Sequence, residues 1–458
     1  MARGAAWIFG LLLIGATAPV RADSFRLLHS NYEALQARAD LIQQARHQID
    51  ASYYWIDDDQ VGALFLSLLR EAALRGVRVR LLVDAAHNDI PPQVQRCLVA
   101  SGVQIREYHP HHRGHPLWLN RRMHDKTLIT DATHLIVGSR NIRNCHFGLA
   151  RINYVDRDAY LQGQTALEAQ RYFDCAWHSD QVSPTEFETS LAQRLRQRRP
   201  DAADASQEQT FSRRGDGRTG PMPSPCCCEL WLAAGQGLSV CGQPIELDRP
   251  RDWSADAAET GCAWFVYDPR GLKGQPRGIS EQMLRLIDRA RGSIALETPY
   301  FVMSAAFKRA LAAAVGRGVR VTVLTNSLAS TDHMLVAATF TNQKHWLLSH
   351  GVQIFELAGP DHLHAKTAVI DCQIAFVGSY NFDPRSEYLN TETGVIVDDP
   401  GVAALVGESV GDHLRRAYRI GPDGREPATG QRQPGATPGQ VLKMEALRIL
   451  APLLRRSL

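Results

Sequence analysis

The sequence carries almost no excess charge: 51 Lys and Arg stand against 48 Asp and Glu in 458 residues, a net of +3. A dedicated nucleic-acid binder carries a far stronger basic footprint, so charge alone names no partner. Long apolar runs are missing after the first 22 residues, which excludes a polytopic membrane protein. Disorder is excluded as well, because 44% of the residues are apolar and only 22% are charged. The nine cysteines lack paired C-x-x-C spacing, and Cys226, Cys227, Cys228, Cys241 and Cys262 crowd into one segment without accompanying histidines. That pattern speaks for a disulfide-stapled insert rather than a metal centre. The odd count leaves at least one thiol unpaired.

What is present begins at the N-terminus. Arg3 precedes an apolar run from Ala5 to Ala18, and Val20-Arg21-Ala22 offers the small residues of a cleavage site, so residues 1–22 read as a secretory signal. The run is shorter than the roughly 20 residues that span a bilayer. Export fits the disulfide reading, since disulfides persist in oxidising compartments.

The chain repeats itself. QARHQIDASYYW (44–55) matches DRARGSIALETPYF (288–301), RGVRVRLLVD (75–84) matches RGVRVTVLTN (317–326), and SGVQIREY matches HGVQIFEL in the same order. The repeat divides the chain into a first half over 23–195 and a second over 263–420. In the first half an apolar strand near Ile49–Trp55, an amphipathic helix over Val61–Arg75 and a buried strand over Val77–Val83 alternate. Phe307–Arg317 and Val319–Leu324 supply the same helix and strand in the second. Alternating elements predict two α/β/α sandwich halves with parallel-rich sheets, packed about a pseudo-twofold axis.

Residues 196–262 are polar and rich in Gly, Pro and Arg, as a linker with a Cys-rich insert should be. After a second Pro/Gly stretch from 421, VLKMEALRILAPLLRRSL sets apolar residues at helical spacing beside Lys443, Arg448, Arg455 and Arg456. Such a basic amphipathic helix suits an anionic lipid surface, or a docked position on the body, with Pro452 weakening both.

The strongest signal is a string written twice. His124-x-Lys126-x4-Asp131 recurs as His364-x-Lys366-x4-Asp371, and each is followed by Gly-Ser-x-Asn, giving Ser139 and Asn141, then Ser379 and Asn381. If the motifs lie in strands, residues two apart share a face, and each half aims an imidazole and an ammonium at one spot. Two facing copies suit a phosphodiester: one histidine as nucleophile, one as proton donor, and lysines and asparagines around the phosphoryl oxygens. Asp131 and Asp371 fall at turns and read as structural members of the motif.

These strings resemble the phospholipase D superfamily, whose signature is the duplicated motif. RRMHDK, YYWIDDD, TNSLASTD and GSYNFDPRSEYLNTETGVIVDDP are most similar to its bacterial cardiolipin-synthase branch. The resemblance implies two α/β/α halves with one active site at their interface and a two-step reaction through a phosphohistidine, with His124 as nucleophile, His364 as acid and then base, and no cofactor or metal. Lys126, Lys366, Asn141 and Asn381 would hold the phosphoryl oxygens, with Ser139 and Ser379 beside them. A carboxylate should orient each imidazole. Glu392 is expected to serve His364, and Asp156, with Asp158 as fallback, to serve His124.

A phospholipid substrate, phosphatidylglycerol before others, is implied, with the protein in the periplasm and peripheral to the membrane. Cardiolipin synthesis leads; phospholipid hydrolysis and a secreted endonuclease of the same superfamily are the alternatives, and nucleic acid is the disfavoured substrate. RNCHFGLARINY after the first motif departs from the acidic residues usual in that branch. In the loop HPHHRGHPLWLNRRMH, His109, His111, His112 and His115 lack the partners of a metal site. Trp118, Leu119, Arg121 and Arg122 are expected to rim the pocket near lipid head groups. The oligomeric state is not legible.

Overall fold

The computed structural model describes residues 23–108, 121–190, 237–268 and 278–454, with 233 and 235. The expected signal segment, the histidine-rich loop up to residue 120, and Cys226 to Cys228 lie outside them. In chain order the first half contributes strands β1 (Asp23–Leu28), β2 (Gln48–Tyr53), β3 (Arg78–Asp84), β4 (Gln104–Tyr108), β5 (Lys126–Thr130), β6 (His134–Gly138), β7 (Tyr154–Val155), β8 (Asp158–Gln162) and β9 (Val182–Pro184). The insert adds β10 (Ser239–Val240), β11 (Gln243–Pro244) and β12 (Ala258–Thr260). The second half supplies β13 (Ala263–Asp268), β14 (Ser293–Glu297), β15 (Arg320–Asn326), β16 (Gln353–Leu357), β17 (His362–Leu363), β18 (Thr367–Ile370), β19 (Ile374–Gly378), β20 (Glu392–Asp398) and β21 (Ala417–Ile420).

One sheet runs β12-β1-β8-β6-β5-β2-β3-β4-β9 and the other β13-β20-β19-β18-β14-β15-β16-β21. Apart from the added β12, the two orders match strand for strand, so the sequence repeat is a repeat of topology. The sheets are less parallel than alternation predicts. Within these two sheets β2-β3-β4 and β14-β15-β16 pair in parallel, while the motif hairpins β5-β6 and β18-β19 and their neighbours pair antiparallel. The reason is local: from β2 to β4 and from β14 to β16 each strand reaches its neighbour in the sheet through a helix, whereas a tight turn joins the two strands of each motif hairpin, and a tight turn can join only antiparallel strands.

Helices cover the outer faces. Gln60–Leu74 starts where the Asp59 side chain accepts the Gly62 N–H, and it buries Val61, Leu64, Phe65 and Leu68 against the first sheet. The inner faces meet each other: Phe25, Met123, Ile129 and Val137 share one buried cluster with Phe265, Val369, Val377 and Val395. This apolar contact holds the halves together and fixes the site between them. It is reinforced by the buried Arg157, whose guanidinium reaches Glu297 and Thr367 of the other half.

The insert is less of a linker than its composition suggests. Leu238, Val240, Ile245 and Trp253 enter the first-half core, the Trp253 indole donates to Asp40, and β12 extends the sheet beside β1. Cys241 and Cys262 are free thiols and Cys97 is in a disulfide, so neither Cys241 nor Cys262 staples the insert. The C-terminal helix Pro438–Leu454 docks on the helix Met334–Ser349, burying Met444 with Leu328 and Ala338.

Candidate active site

Each motif begins just before its strand rather than within it. His124 precedes β5 and His364 precedes β18, and each lysine turns its ammonium back onto the carbonyl of the histidine two residues earlier, at 2.7 Å for Lys126. Asp131 and Asp371 close the hairpins at φ 54°. This left-handed conformation suits Asp better than most side chains. Their carboxylates accept three backbone N–H groups each, Arg46, His47 and Gln48 at 2.8–2.9 Å, and Arg291, Gly292 and Ser293 at 2.7–2.9 Å. Partial burial would raise these carboxyls, but the three donors hold both below the usual range. They sit at the far end of the strand from the histidines and clamp the entry to β2 and β14.

The orienting carboxylates are exchanged relative to the sequence expectation. Glu392 serves His124, not His364: its oxygens lie 2.9 and 3.1 Å from His124 Nδ1. Asp156 serves His364, not His124, at 2.7 Å from Nδ1. The cause is backbone pairing between the halves. His124 N–H donates to the Thr391 carbonyl, and His364 N–H to the Val155 carbonyl, so each histidine lies against the residue just before the other half's carboxylate. Within its own half each carboxylate instead takes the motif serine, Ser139 at 2.6 Å from Asp156, and Ser379 on Glu392. Asp158, the fallback, is a structural anion bound to Arg38 at 2.9 Å and Arg140 at 3.2 Å. The glycines before the serines are obligatory: a Cβ on Gly138 would meet the Asp158 backbone at 2.5 Å, and one on Gly378 the Thr393 carbonyl at 2.5 Å.

With Nδ1–H held by a carboxylate, both imidazoles keep Nε2 for a reacting atom. Burial, then the nearby ammonium groups, push both histidines well below their ordinary value. Burial also lowers Lys126 to about 7 and Lys366 to about 8. The two carboxyls differ: burial pushes Glu392 up to about 7, whereas the donors converging on Asp156 outweigh burial and hold it well below the usual range. Asn141 and Asn381 each keep a buried Oδ1 without a hydrogen-bond partner. A buried amide left so is costly unless a ligand or water completes it.

Several residues around the site were not singled out from sequence. His146 donates Nδ1–H to Asp156 at 2.7 Å, stacks on Tyr154 and lies edge-on to His364 with ring centres 5.0 Å apart. Its Nε2 is 3.4 Å from Asn141 Nδ2. A signal did exist, because His146 follows Gly138 by the same interval as Ser386 follows Gly378, and Ser386 donates to Glu392 at 2.7 Å. Among the described residues, His146, Asp156 and His364 are the one group whose ligand atoms converge as a metal site would require, but both Nδ1 atoms are engaged in hydrogen bonds to Asp156. Arg385 lies close enough to depress His124, and Arg122 acts with it on Tyr54, which packs edge-on to His124 at 5.0 Å. Arg121, expected from sequence at the rim together with Arg122, lies near enough to act on Tyr108. Opposite, Tyr154 and Tyr300 donate to Asp332 at 2.9 and 2.7 Å, and Tyr154 packs on His364. The cleft is therefore walled by aromatic rings and edged by cations.

The chain is similar to known proteins. The family model described as "Cardiolipin synthase, PLD-like domain" matches residues 39–177 and 283–411. Cardiolipin synthase C of Escherichia coli K12 is 31% identical over 411 residues, 83% of this chain and 82% of that protein. Cardiolipin synthase A of Yersinia pseudotuberculosis is 26% identical over 416 residues, 87% of this chain and 70% of that one. Among solved structures, a phosphatidylserine synthase from Haemophilus influenzae superposes with a TM-score of 0.64 over 95% of both chains at 14% identity, a likeness of fold.

Proposed function

The chain belongs to the cardiolipin synthase family of phospholipase D-like enzymes, and on that premise we propose that it joins two phosphatidylglycerols into cardiolipin, releasing glycerol. The observation that carries the reading is the pair of buried histidines, each with Nδ1 fixed by a carboxylate of the other half and Nε2 left for one phosphorus between them. In the first step His124 Nε2 attacks phosphorus, the bond to the head-group glycerol breaks, and the leaving oxygen takes a proton from His364. In the second, a hydroxyl of another phosphatidylglycerol gives its proton to His364 and displaces His124. Lys126, Lys366 and the two asparagines supply charge and hydrogen bonds to the phosphoryl oxygens.

The difference between the carboxylates supports this division of labour. Asp156, firmly ionised, raises His364 against the burial that lowers it, and so favours the protonated form that an acid needs more than Glu392 does for His124. Glu392, titrating near neutrality, gives His124 weaker support for a positive charge and leaves it the neutral form that a nucleophile needs.

The test is an assay of the purified protein, treated with EDTA, on phosphatidylglycerol in mixed micelles, resolving cardiolipin, phosphatidic acid and glycerol beside plasmid DNA. Cardiolipin with glycerol is the expected outcome. Phosphatidic acid alone makes the enzyme a hydrolase, and nicked DNA with untouched lipid overturns the lipid reading. An acid-labile phosphoryl label that is retained on the His364→Ala protein and lost from His124→Ala would identify the nucleophile.

A further inference from the structure

The C-terminal helix Pro438–Leu454 is apolar on two sides, and only one of them is used. Val441, Met444, Leu447 and Ala451 face the body, packed with Leu328, Met334 and Ala338. On the outside, Leu442 is 74% exposed, Ile449 78% and Leu450 49%, three of the seven large hydrophobic side chains exposed among the described residues. Leu442, Ala446, Ile449 and Leu450 follow at i, i+4, i+7 and i+8, which is a single face. A globular surface gains nothing from such a stripe in water, and a contiguous one marks a contact.

The surroundings of the stripe are cationic. Lys443 is exposed on the helix, and Arg425 and Arg432 are exposed on the adjoining loop, lining with Leu442 and Arg448 a cleft of about 870 Å³. The two acids that line this cleft are each paired with a lining arginine, Glu445 with Arg448 at 2.8 Å and Asp423 with Arg425 at 3.7 Å, so cations stay in excess with Arg432 and Lys443. The position also matters. Gln440 at the start of the helix bonds the Leu328 carbonyl, and the segment from Leu328 leads directly to Asp332, which holds Tyr154 against His364. The helix is thereby tied to the loop that flanks the active-site cleft.

We propose that the outer face of this helix, with Arg425 and Arg432 beside it, is the surface by which the enzyme sits on an anionic phospholipid bilayer. Leucine and isoleucine side chains enter the acyl boundary while the arginines and lysine meet head-group phosphates, the two contributions a surface helix needs. The inference deepens the lipid reading above, and its test separates the two.

The full chain and the triple variant Leu442→Gln, Ile449→Gln, Leu450→Gln are floated with vesicles of phosphatidylglycerol and phosphatidylcholine, and with phosphatidylcholine alone. The wild type is expected to float with the anionic vesicles, less as salt rises. The triple variant should partition at least about tenfold more weakly, as loss of three buried apolar side chains requires. Its thermal unfolding, and its turnover of a short-chain, water-soluble phosphatidylglycerol, should match the wild type. Equal flotation of variant and wild type, no flotation of either, or a wild-type dimer that the variant converts to monomer without any vesicle binding would overturn the proposal. Flotation without turnover of any phospholipid would leave the docking face standing and sink the lipid-transfer reading instead.

Discussion

The two carboxylate pockets are built on one plan and end in different electrical states. In each, a carboxylate at or just before the start of a strand takes the motif serine of its own half and the motif histidine of the other. Asp156 adds a second imidazole, His146, whereas Glu392 adds Ser386 and, at 3.4 Å, Asn390. The short acid is matched with a long donor and the long acid with a short one, so the reach of the pocket is kept while its donors change. What the difference teaches is that a duplicated site need not be a symmetric one: duplication supplied the geometry, and one change of partner in each half separated the ionised carboxylate from the one poised near neutrality.

The largest effect should come from breaking the ionised side. Asp156→Asn removes the counter-charge of His364 and leaves buried imidazole N–H groups with a poorer acceptor. Turnover should fall about 10⁴-fold, the scale known for an orienting carboxylate. Since the folded-state pKa of Asp156 is depressed, its contribution to stability is fully present above its unfolded value and is lost only as pH falls through the lower folded one. At pH 7 the substitution should therefore also cost about 3 kcal/mol, read from denaturant unfolding. A variant as stable as wild type at pH 7 would contradict the ionised state assigned to Asp156.

Glu392→Gln should behave differently. Turnover falls, by about 10²-fold or more, because His124 loses its orienting acceptor. Stability moves the other way with pH. The folded pKa of Glu392, about 7, lies above its unfolded value of 4.5, so its contribution is fully present below about 4.5 and declines as pH rises through about 7. The Gln variant should gain on the wild type between pH 5 and 8 in thermal unfolding. A difference that stays constant over that window would remove the contrast between the pockets.

The crossing itself can be tested in double-mutant cycles. His124→Ala with Glu392→Gln, and His364→Ala with Asp156→Asn, should couple in unfolding free energy by about 1 kcal/mol, as contacting residues do. The within-half pairs, His364 with Glu392 and His124 with Asp156, should add independently. Coupling in the within-half pairs would restore the assignment expected from sequence.

That expectation shows where a linear reading stops. The repeat, the motif residues and most of the elements were legible, because apolar alternation, helical spacing and Gly-Ser-x-Asn are local patterns that duplication prints twice. The exchange of carboxylates was not, because it is decided by backbone bonds between Thr391 and His124 and between Val155 and His364, far apart in the chain. The packing of Trp253 on the first half was hidden for a similar reason: composition reports polarity along a segment and does not say which of its few apolar residues finds a core.

The smallest effect, and the finest test of the comparison, concerns the third donor. If His146 and Ser386 are alternatives matched in size to their acids, His146→Ser alone leaves Asp156 out of reach and the Asn141 amide without its nitrogen acceptor. Turnover should drop about tenfold, the loss of one hydrogen bond to a charged group, with KM little changed. Asp156→Glu alone overfills the pocket and costs about 1–3 kcal/mol. Together the two substitutions rebuild the second-half pairing in the first half, and the double variant should be more stable than Asp156→Glu by about 1 kcal/mol. It should still turn over more slowly than wild type, because His364 would then share its carboxylate with two hydroxyls, as His124 does with Ser379 and Ser386. A double variant no more stable than the worse single one would mean that acid and donor are not matched as a pair, and that His146 holds its place through Tyr154 and Asn141 alone.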